Sequence, residues 1–293
     1  MLGIDPLGTG YSARTTMFKA FQKYFQEMPD DVSLVIRERQ RILREAGIPE
    51  DDTYKMQSNL SDAYPNFPPT LFWTIYEIYS RPELLEAIRQ ELFSKAVRKS
   101  DNISILDISS LQTECHILLS AFQETQRVRH SQVAFRIVVE DVLLDNKYLL
   151  KKGSYVHQPA KAVHKNHEIW GPQASEFDPY RFVQAEAGKT TKTKILPSGF
   201  RAWGSPPHMC PARQFAATEV LIFTALLALR VDLTPMNGEG WEKEPALKSM
   251  EIAMLPRPKK DVHLKVTARE EEGAGRWAIE TGRIKTRVPL ASG

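Results

Sequence analysis

Cysteine is almost missing from this chain. Two thiols among 293 residues cannot build a disulfide framework, so a reducing compartment is the default expectation. Net charge is nearly missing too. The 39 basic and 36 acidic side chains leave +3, too little and too dispersed to argue for a nucleic-acid partner. The longest apolar run, Phe215 to Leu229, is interrupted by Glu219; it falls short of a bilayer span and reads as a buried helix. The opening MLGIDPLGTGYSARTTMFKAF has no apolar core run, so no signal segment or membrane anchor is visible in it. There is no internal repeat. Gly188-Lys189-Thr190 echoes the end of a phosphate-binding loop, but Val183 stands where that loop requires glycine, so a solvated basic loop is expected. What remains, 42% hydrophobic and 26% charged residues, is ordinary for a globular protein with one large core or two modest ones.

Helical spacing dominates the first half. Phe18, Phe21 and Phe25, then Val32, Val35 and Ile36, recur at the helical period over the first ~60 residues. Pro65, Pro68 and Pro69 crowd the start of an aromatic helical stretch and are expected to break or kink it. Ser80-Arg81-Pro82-Glu83 and Ser109-Ser110-Leu111-Gln112 read as capping boxes, the second leading a stripe of Leu111, Cys115, Leu118 and Phe122. From Val133 the texture changes to short strands, with Asp145-Asn146 as a hairpin turn. Gly171-Pro172 and Asp178-Pro179 punctuate a loop region. An apolar helix then runs from Cys210 to near Arg230, and short extended pieces follow to Thr267. The tail REEEGAGRWAIETGRIKTRVPLASG has no clear pattern and is expected to be disordered.

Three constellations carry chemistry. In AWGSPPHMCPAR, Cys210 precedes Pro211, a residue suited to a first helical position. A sulfur there would face the positive helix end, which favours the thiolate, the form that binds metal. The alternative is a small apolar core residue, the usual fate of a free cysteine. Glu124 and Arg127 stand at i and i+3 on a helix and can pair; alone, such a pair is more often a solvated face. In EFDPYRF, Arg181 lies in a loop between Pro179 and Phe182.

The order of the three is far more specific than any one. A Glu-x-x-Arg helix, an Asp-Pro-x-Arg-Phe loop, and a turn with His-x-Cys-Pro-x-Arg opening an apolar helix together resemble the C-terminal half of a cytochrome P-450. The resemblance covers Phe18 to about Thr267. It implies a mainly α fold with small β-sheets, an incomplete catalytic domain over 1–267 that lacks N-terminal helices and a sheet, and a tail at 268–293. It implies haem as cofactor, Cys210 as axial ligand to iron, and Glu124, Arg127 and Arg181 as a buried scaffold triad. Arg136 and His208 match positions that hold haem propionates, and Trp203 matches a flat cover on the ring. His164, in Val163-His164-Lys165-Asn166, is expected to be a buried hydrogen-bonding residue. Asn66-Phe67-Pro68-Pro69-Thr70-Leu71-Phe72-Trp73 resembles the distal helix of the branch holding bile-acid hydroxylases, prostacyclin synthase and many fungal members. There Asn66 and Phe67 occupy the positions of an acid and an alcohol that deliver protons, so Asn66 is the catalytic candidate for organising distal water.

The chain departs from the family pattern at Trp203 for Phe, Pro206 for a glycine and Ala212 for a glycine; the prolines at 206 and 207 are expected to stiffen the loop. By resemblance the function is monooxygenation of a lipophilic small molecule in secondary or lipid metabolism, with electrons from an NADPH-dependent reductase. The implied location is the cytosolic face of the endoplasmic reticulum membrane, with a cytosolic location as the alternative because this sequence shows no anchor. Two other readings stay open: a haem-thiolate isomerase or dehydratase of a peroxide, suggested by Phe67, and a truncated product without activity.

Overall fold

The structure is a computed structural model that describes residues 8–57, 66–183, 197–206, 208–248, 255–269, 275–281 and 287–291. Pro65, the Gly188-Lys189-Thr190 loop and Pro207 lie outside the described residues. By its contacts the chain divides after Asn66 into two units.

The first unit holds α1 (Thr9–Gln26), α2 (Leu34–Glu45) and α3 (Glu50–Gln57). Phe25, buried on α1, stacks on Phe21 and on Tyr54 of α3 with ring centroids 6.1 and 5.9 Å apart. The predicted apolar stripe is only partly used, because Val35 stays exposed.

The second unit begins with α4 (Phe67–Tyr79) and α5 (Pro82–Lys95). Pro68 and Pro69 fall in the first turn of α4, where their missing N–H groups have no intrahelical acceptor to lose. They open the helix and do not kink it, which corrects the sequence expectation. Behind them Trp73, Tyr76, Ile78 and Tyr79 are buried. Then come β1 (Val97–Ser100), β2 (Ile103–Asp107), α6 (Ile108–Thr113) and α7 (His116–Arg129). Neither serine capping box forms. Ser80 Oγ donates back to the Glu77 carbonyl, and α6 is capped by Asp107, whose carboxylate accepts from Ser110 N–H at 2.7 Å. The stripe Leu111, Cys115, Leu118 and Phe122 is fully buried but spans two helices. Glu91 of α5 supplies the cap of α7, its carboxylate accepting from Ile117 and Leu118 N–H at 2.9–3.2 Å.

Four short strands follow: β3 (Val133–Ile137), β4 (Val142–Leu144), β5 (Tyr148–Leu150) and β6 (Tyr155–Pro159). β3 pairs with β6, and β4 with β5. The loop between them is 145–147; Asp145 and Asn146 both take left-handed backbone (φ +51°), and Lys147 N–H closes the turn on the Leu144 carbonyl at 3.0 Å. Two short helices, α8 (Ala160–His164) and α9 (His167–Trp170), lead into the loop region. A two-residue hairpin, β7 (Gly204–Ser205) with β8 (His208–Met209), precedes α10 (Arg213–Arg230).

On α10, Ala217, Val220, Leu221, Thr224, Ala225, Ala228 and Leu229 form one buried stripe against α4, α5, α6 and α7. Arg89 of α5 closes its C-terminus, donating to the Ala228 and Val231 carbonyls at 2.8 and 3.2 Å and to Asp232 at 2.5 Å. β9 (Val231–Pro235) pairs antiparallel with β10 (Leu264–Ala268).

The tail is not patternless. β11 (Arg276–Glu280) pairs in parallel with β2, Arg276 opposite Ile103 and Glu280 opposite Asp107. Val288 and Leu290 are buried in the main core, Gln214 of α10 bonds both backbone groups of Val288, and Ala291 N–H donates to Gln123 at 2.6 Å. This corrects the expectation of disorder for these stretches, because the strand's partner lies far upstream and no local pattern announces it. Replacing Leu290 with Ala is predicted to remove about 2–4 kcal/mol of stability, read as a fall in the urea midpoint; a loose tail would show no change.

Candidate functional site

The site is built outward from Glu124. This carboxylate and Arg127, one turn later on α7, have side chains that are 0% exposed. Arg127 Nε and Nη2 donate to the two carboxylate oxygens, each at 2.7 Å. Its Nη1 reaches the carbonyls of His164 and Ala174 at 2.6 and 2.5 Å, and Nη2 also reaches that of Glu176 at 2.8 Å. Arg181 Nε and the Asp178 N–H both donate to Glu124 Oε1 at 3.0 Å. Phe182 N–H is held by Ser120 Oγ of α7 at 3.0 Å. A buried ion pair is stabilising only when its remaining hydrogen-bonding capacity is filled, and here backbone carbonyls fill it. The three residues expected to form a triad do form one.

His164 carries the construction onward. Its carbonyl is held by Arg127, and its Nε2 accepts the Arg201 N–H at 2.8 Å. It is buried and stacks on Phe200, centroids 5.7 Å apart. Burial depresses its pKa to about 3, with the His130 and Arg127 charges adding to the effect. His130 lies 5.7 Å away ring to ring, and burial lowers it to about 4. Neither ring nitrogen of His130 has a hydrogen-bond partner among the described residues.

Arg201 leads into the hairpin that carries Cys210. Cys210 N–H donates to the Trp203 carbonyl at 2.8 Å, closing the hairpin behind β7 and β8. Gly204 has φ +89°, and a Cβ there would stand 2.8 Å from the His208 carbonyl oxygen; only glycine fits. Pro206 follows β7 on the exposed side, and both hairpin pairs form beside it. The Cys210 thiol is half-buried. Its carbonyl accepts from Arg213 N–H and guanidinium at 3.4 and 3.2 Å. α10 begins at Arg213, so Pro211 sits in the preceding turn, not at the first helical position expected for it.

Beside this hairpin lies a cavity of about 290 Å³ lined by Arg136, Gln158, Ser198, Arg201, Gly204, Ser205 and Pro206. The structure therefore brings Arg136 to the cysteine hairpin. His208 is exposed on β8 and is not part of the cavity wall. Trp203 packs inward on Phe122, centroids 6.4 Å apart. Asn66 is half-buried and immediately precedes α4. Phe67, at the position of the family's alcohol, packs edge-on against Phe223 of α10 at 6.3 Å. Arg201 was not legible as a site residue, because its partners come from three separate segments.

A thiol on a tight hairpin, locked to a buried acid–arginine cluster and flanked by a cationic cavity, defines a scaffold for holding a single sulfur against an anionic group. The comparisons name the class. The sequence model described as Cytochrome P450 matches residues 65–264. The "Cytochrome P450 monooxygenase nodJ" of Hypoxylon pulicicidum is 31% identical over 84% of this chain and 49% of its own length. The human "7-alpha-hydroxycholest-4-en-3-one 12-alpha-hydroxylase" is 28% identical over 66% of this chain and 41% of its own. A "Beta-amyrin 28-monooxygenase" of Saponaria officinalis is 27% identical over 65% and 34%. This chain belongs to the cytochrome P450 family, and it spans about half the length of the first curated relatives it matches.

That family is built on haem with a cysteine thiolate ligand. The residues present fit the group. Cys210 is a lone half-buried thiol at the end of the hairpin, the single sulfur that such ligation uses. Among the described residues the cavity beside the hairpin is lined by the guanidinium groups of Arg136 and Arg201 and by no acid, which suits carboxylate side arms.

Two outcomes follow from this geometry. Glu124→Gln leaves Arg127 buried with too few acceptors and is predicted to cost about 3–5 kcal/mol, measured by chemical denaturation. The two histidines set an acid limit. Both have folded-state pKa values below their ordinary 6.5, so below that pH the unfolded chain takes up protons that the native chain refuses. Stability is full above pH 6.5 and falls as pH drops toward 4, approaching about 1.4 kcal/mol per pH unit for each histidine. His130→Phe should flatten that fall by about half in urea unfolding at pH 7.5, 6 and 5; an unchanged slope would contradict it.

Proposed function

We propose that the chain works as a haem-thiolate monooxygenase, placing one oxygen atom of O₂ into a lipophilic small molecule with electrons from an NADPH-dependent reductase. The single observation carrying this reading is the Cys210 hairpin, tied through Trp203, Arg201 and His164 to the buried Glu124–Arg127–Arg181 cluster. Bound haem supplies the activation of dioxygen, helped by electron density from a thiolate ligand.

In this reading Cys210 presents its sulfur to the iron, and its hydrogen-bonded backbone fixes where that sulfur sits. Arg136, in the cavity beside the hairpin, and His208, on β8, would hold the propionates, and Trp203 would cover the ring. Asn66 orders water on the distal side, just ahead of α4. Two relatives are named for 7-alpha-hydroxycholest-4-en-3-one and beta-amyrin, which supports a lipophilic substrate; a place in secondary or lipid metabolism belongs to the same reading. We place the protein at the cytosolic face of the endoplasmic reticulum membrane by analogy with such enzymes. None of the described helices is long and apolar enough to cross a bilayer.

One observation favours a second reading, a haem-thiolate isomerase or dehydratase of a peroxide. Phe67 packs against Phe223 and carries no proton to relay, and such a reaction needs neither a reductase nor that relay.

The test of the ligand is the visible spectrum of the reduced carbonyl complex. The native chain should show the thiolate-type Soret band and Cys210→Ser should lose it. A variant that keeps the band would remove Cys210 from the iron. Turnover of a lipid hydroperoxide without NADPH would select the second reading.

A further inference from the structure

We propose that Arg201 is a second guanidinium for the cofactor's carboxylates, acting beside Arg136 in the cavity next to the cysteine hairpin. The proposal rests on the haem-thiolate reading and adds to it a residue that the family pattern does not supply.

The cavity is assembled from three directions. Arg136 of β3 and Gln158 of β6 share one face of their two-stranded sheet, because Gln158 stands opposite Ala134, two residues from Arg136. Arg201 comes from the segment ahead of the hairpin, and Gly204, Ser205 and Pro206 come from the hairpin itself. Two half-buried guanidiniums thus line one space of about 290 Å³ whose wall, among the described residues, has no acidic side chain. Among the described residues neither has a carboxylate partner. Two like charges lining one small cavity repel each other, and an anion between them turns that repulsion into attraction.

Arg201 is already oriented for the task. Its Nε donates to the Ser198 carbonyl at 3.1 Å, and its Nη1 donates to Gln158 Oε1 at 3.3 Å and to Ser205 Oγ. Its backbone N–H is fixed by His164 Nε2 at 2.8 Å. These bonds use Nε and Nη1, and Nη2 makes no hydrogen bond to a described residue. Arg136 is similarly open, with Nη1 bound only to the Phe135 carbonyl at 2.8 Å. The exposed His208 is not in this wall. The two carboxylates of a bound haem would find two guanidinium donors here, and removing one donor would leave a carboxylate in a poorly solvated space.

The test titrates the full chain with haemin and with haemin dimethyl ester, in which both carboxylates are masked, following tryptophan fluorescence quenching and the Soret band. The native chain should bind haemin more tightly than the ester. Arg201→Gln should weaken haemin binding about tenfold or more and weaken ester binding by much less. Arg201→Lys, which keeps the charge but not the fork, should recover part of the loss and decides the matter if Arg201→Gln does not fold. Native-like haemin affinity in both variants, or equal weakening toward haemin and ester, would overturn the role of Arg201 alone. A native chain that takes up neither porphyrin would overturn the haem-thiolate reading and this assignment with it.

Discussion

Everything organised around the cysteine depends on one fully buried carboxylate. Glu124 gathers Arg127, Arg181 and the Asp178 N–H around two oxygens. Arg127 then spends its remaining N–H groups on carbonyls of α8 and the loop beyond. Removing three charges from water is expensive, and the expense is tolerable only because the same groups hold backbone that has no secondary structure of its own. A loop of turns gains the fixity of a helix by being bonded to one.

From that anchor a chain of hydrogen bonds runs to the thiol: Arg127 to the His164 carbonyl, His164 Nε2 to Arg201 N–H, Arg201 to Ser205, and Cys210 N–H to the Trp203 carbonyl. A neutral His164 is required, since a protonated ring has no lone pair for Arg201. Burial keeps it neutral. The electrostatics of the core and the aim of the hairpin are therefore one problem with one solution.

What the sequence disclosed follows the reach of its signals. Glu124, Arg127, Arg181 and Cys210 were legible because their residue types and order are specific together while each is bland alone. The β4–β5 turn was legible because Asp145 and Asn146 tolerate left-handed backbone. Local capping was misread at Ser80, whose hydroxyl turns back to the Glu77 carbonyl, and at Ser109, where an acid at the end of a strand, Asp107, does the work instead. Neither Glu91 nor Arg201 could be placed from spacing, since each acts on partners remote in sequence. The start of α10 at Arg213 shows the same limit at short range, where Pro211 suits a helix but the hairpin's geometry delays it.

Strand β11 brings a consequence for biosynthesis. It docks in parallel on β2, and Val288 and Leu290 close a core contributed largely by α4, α5, α7 and α10. Contacts between segments so distant in sequence form slowly. A nascent chain leaving the ribosome must therefore carry an unsealed apolar interior until its last described segment emerges. During that interval the polypeptide is a natural client for chaperones that shield greasy surfaces.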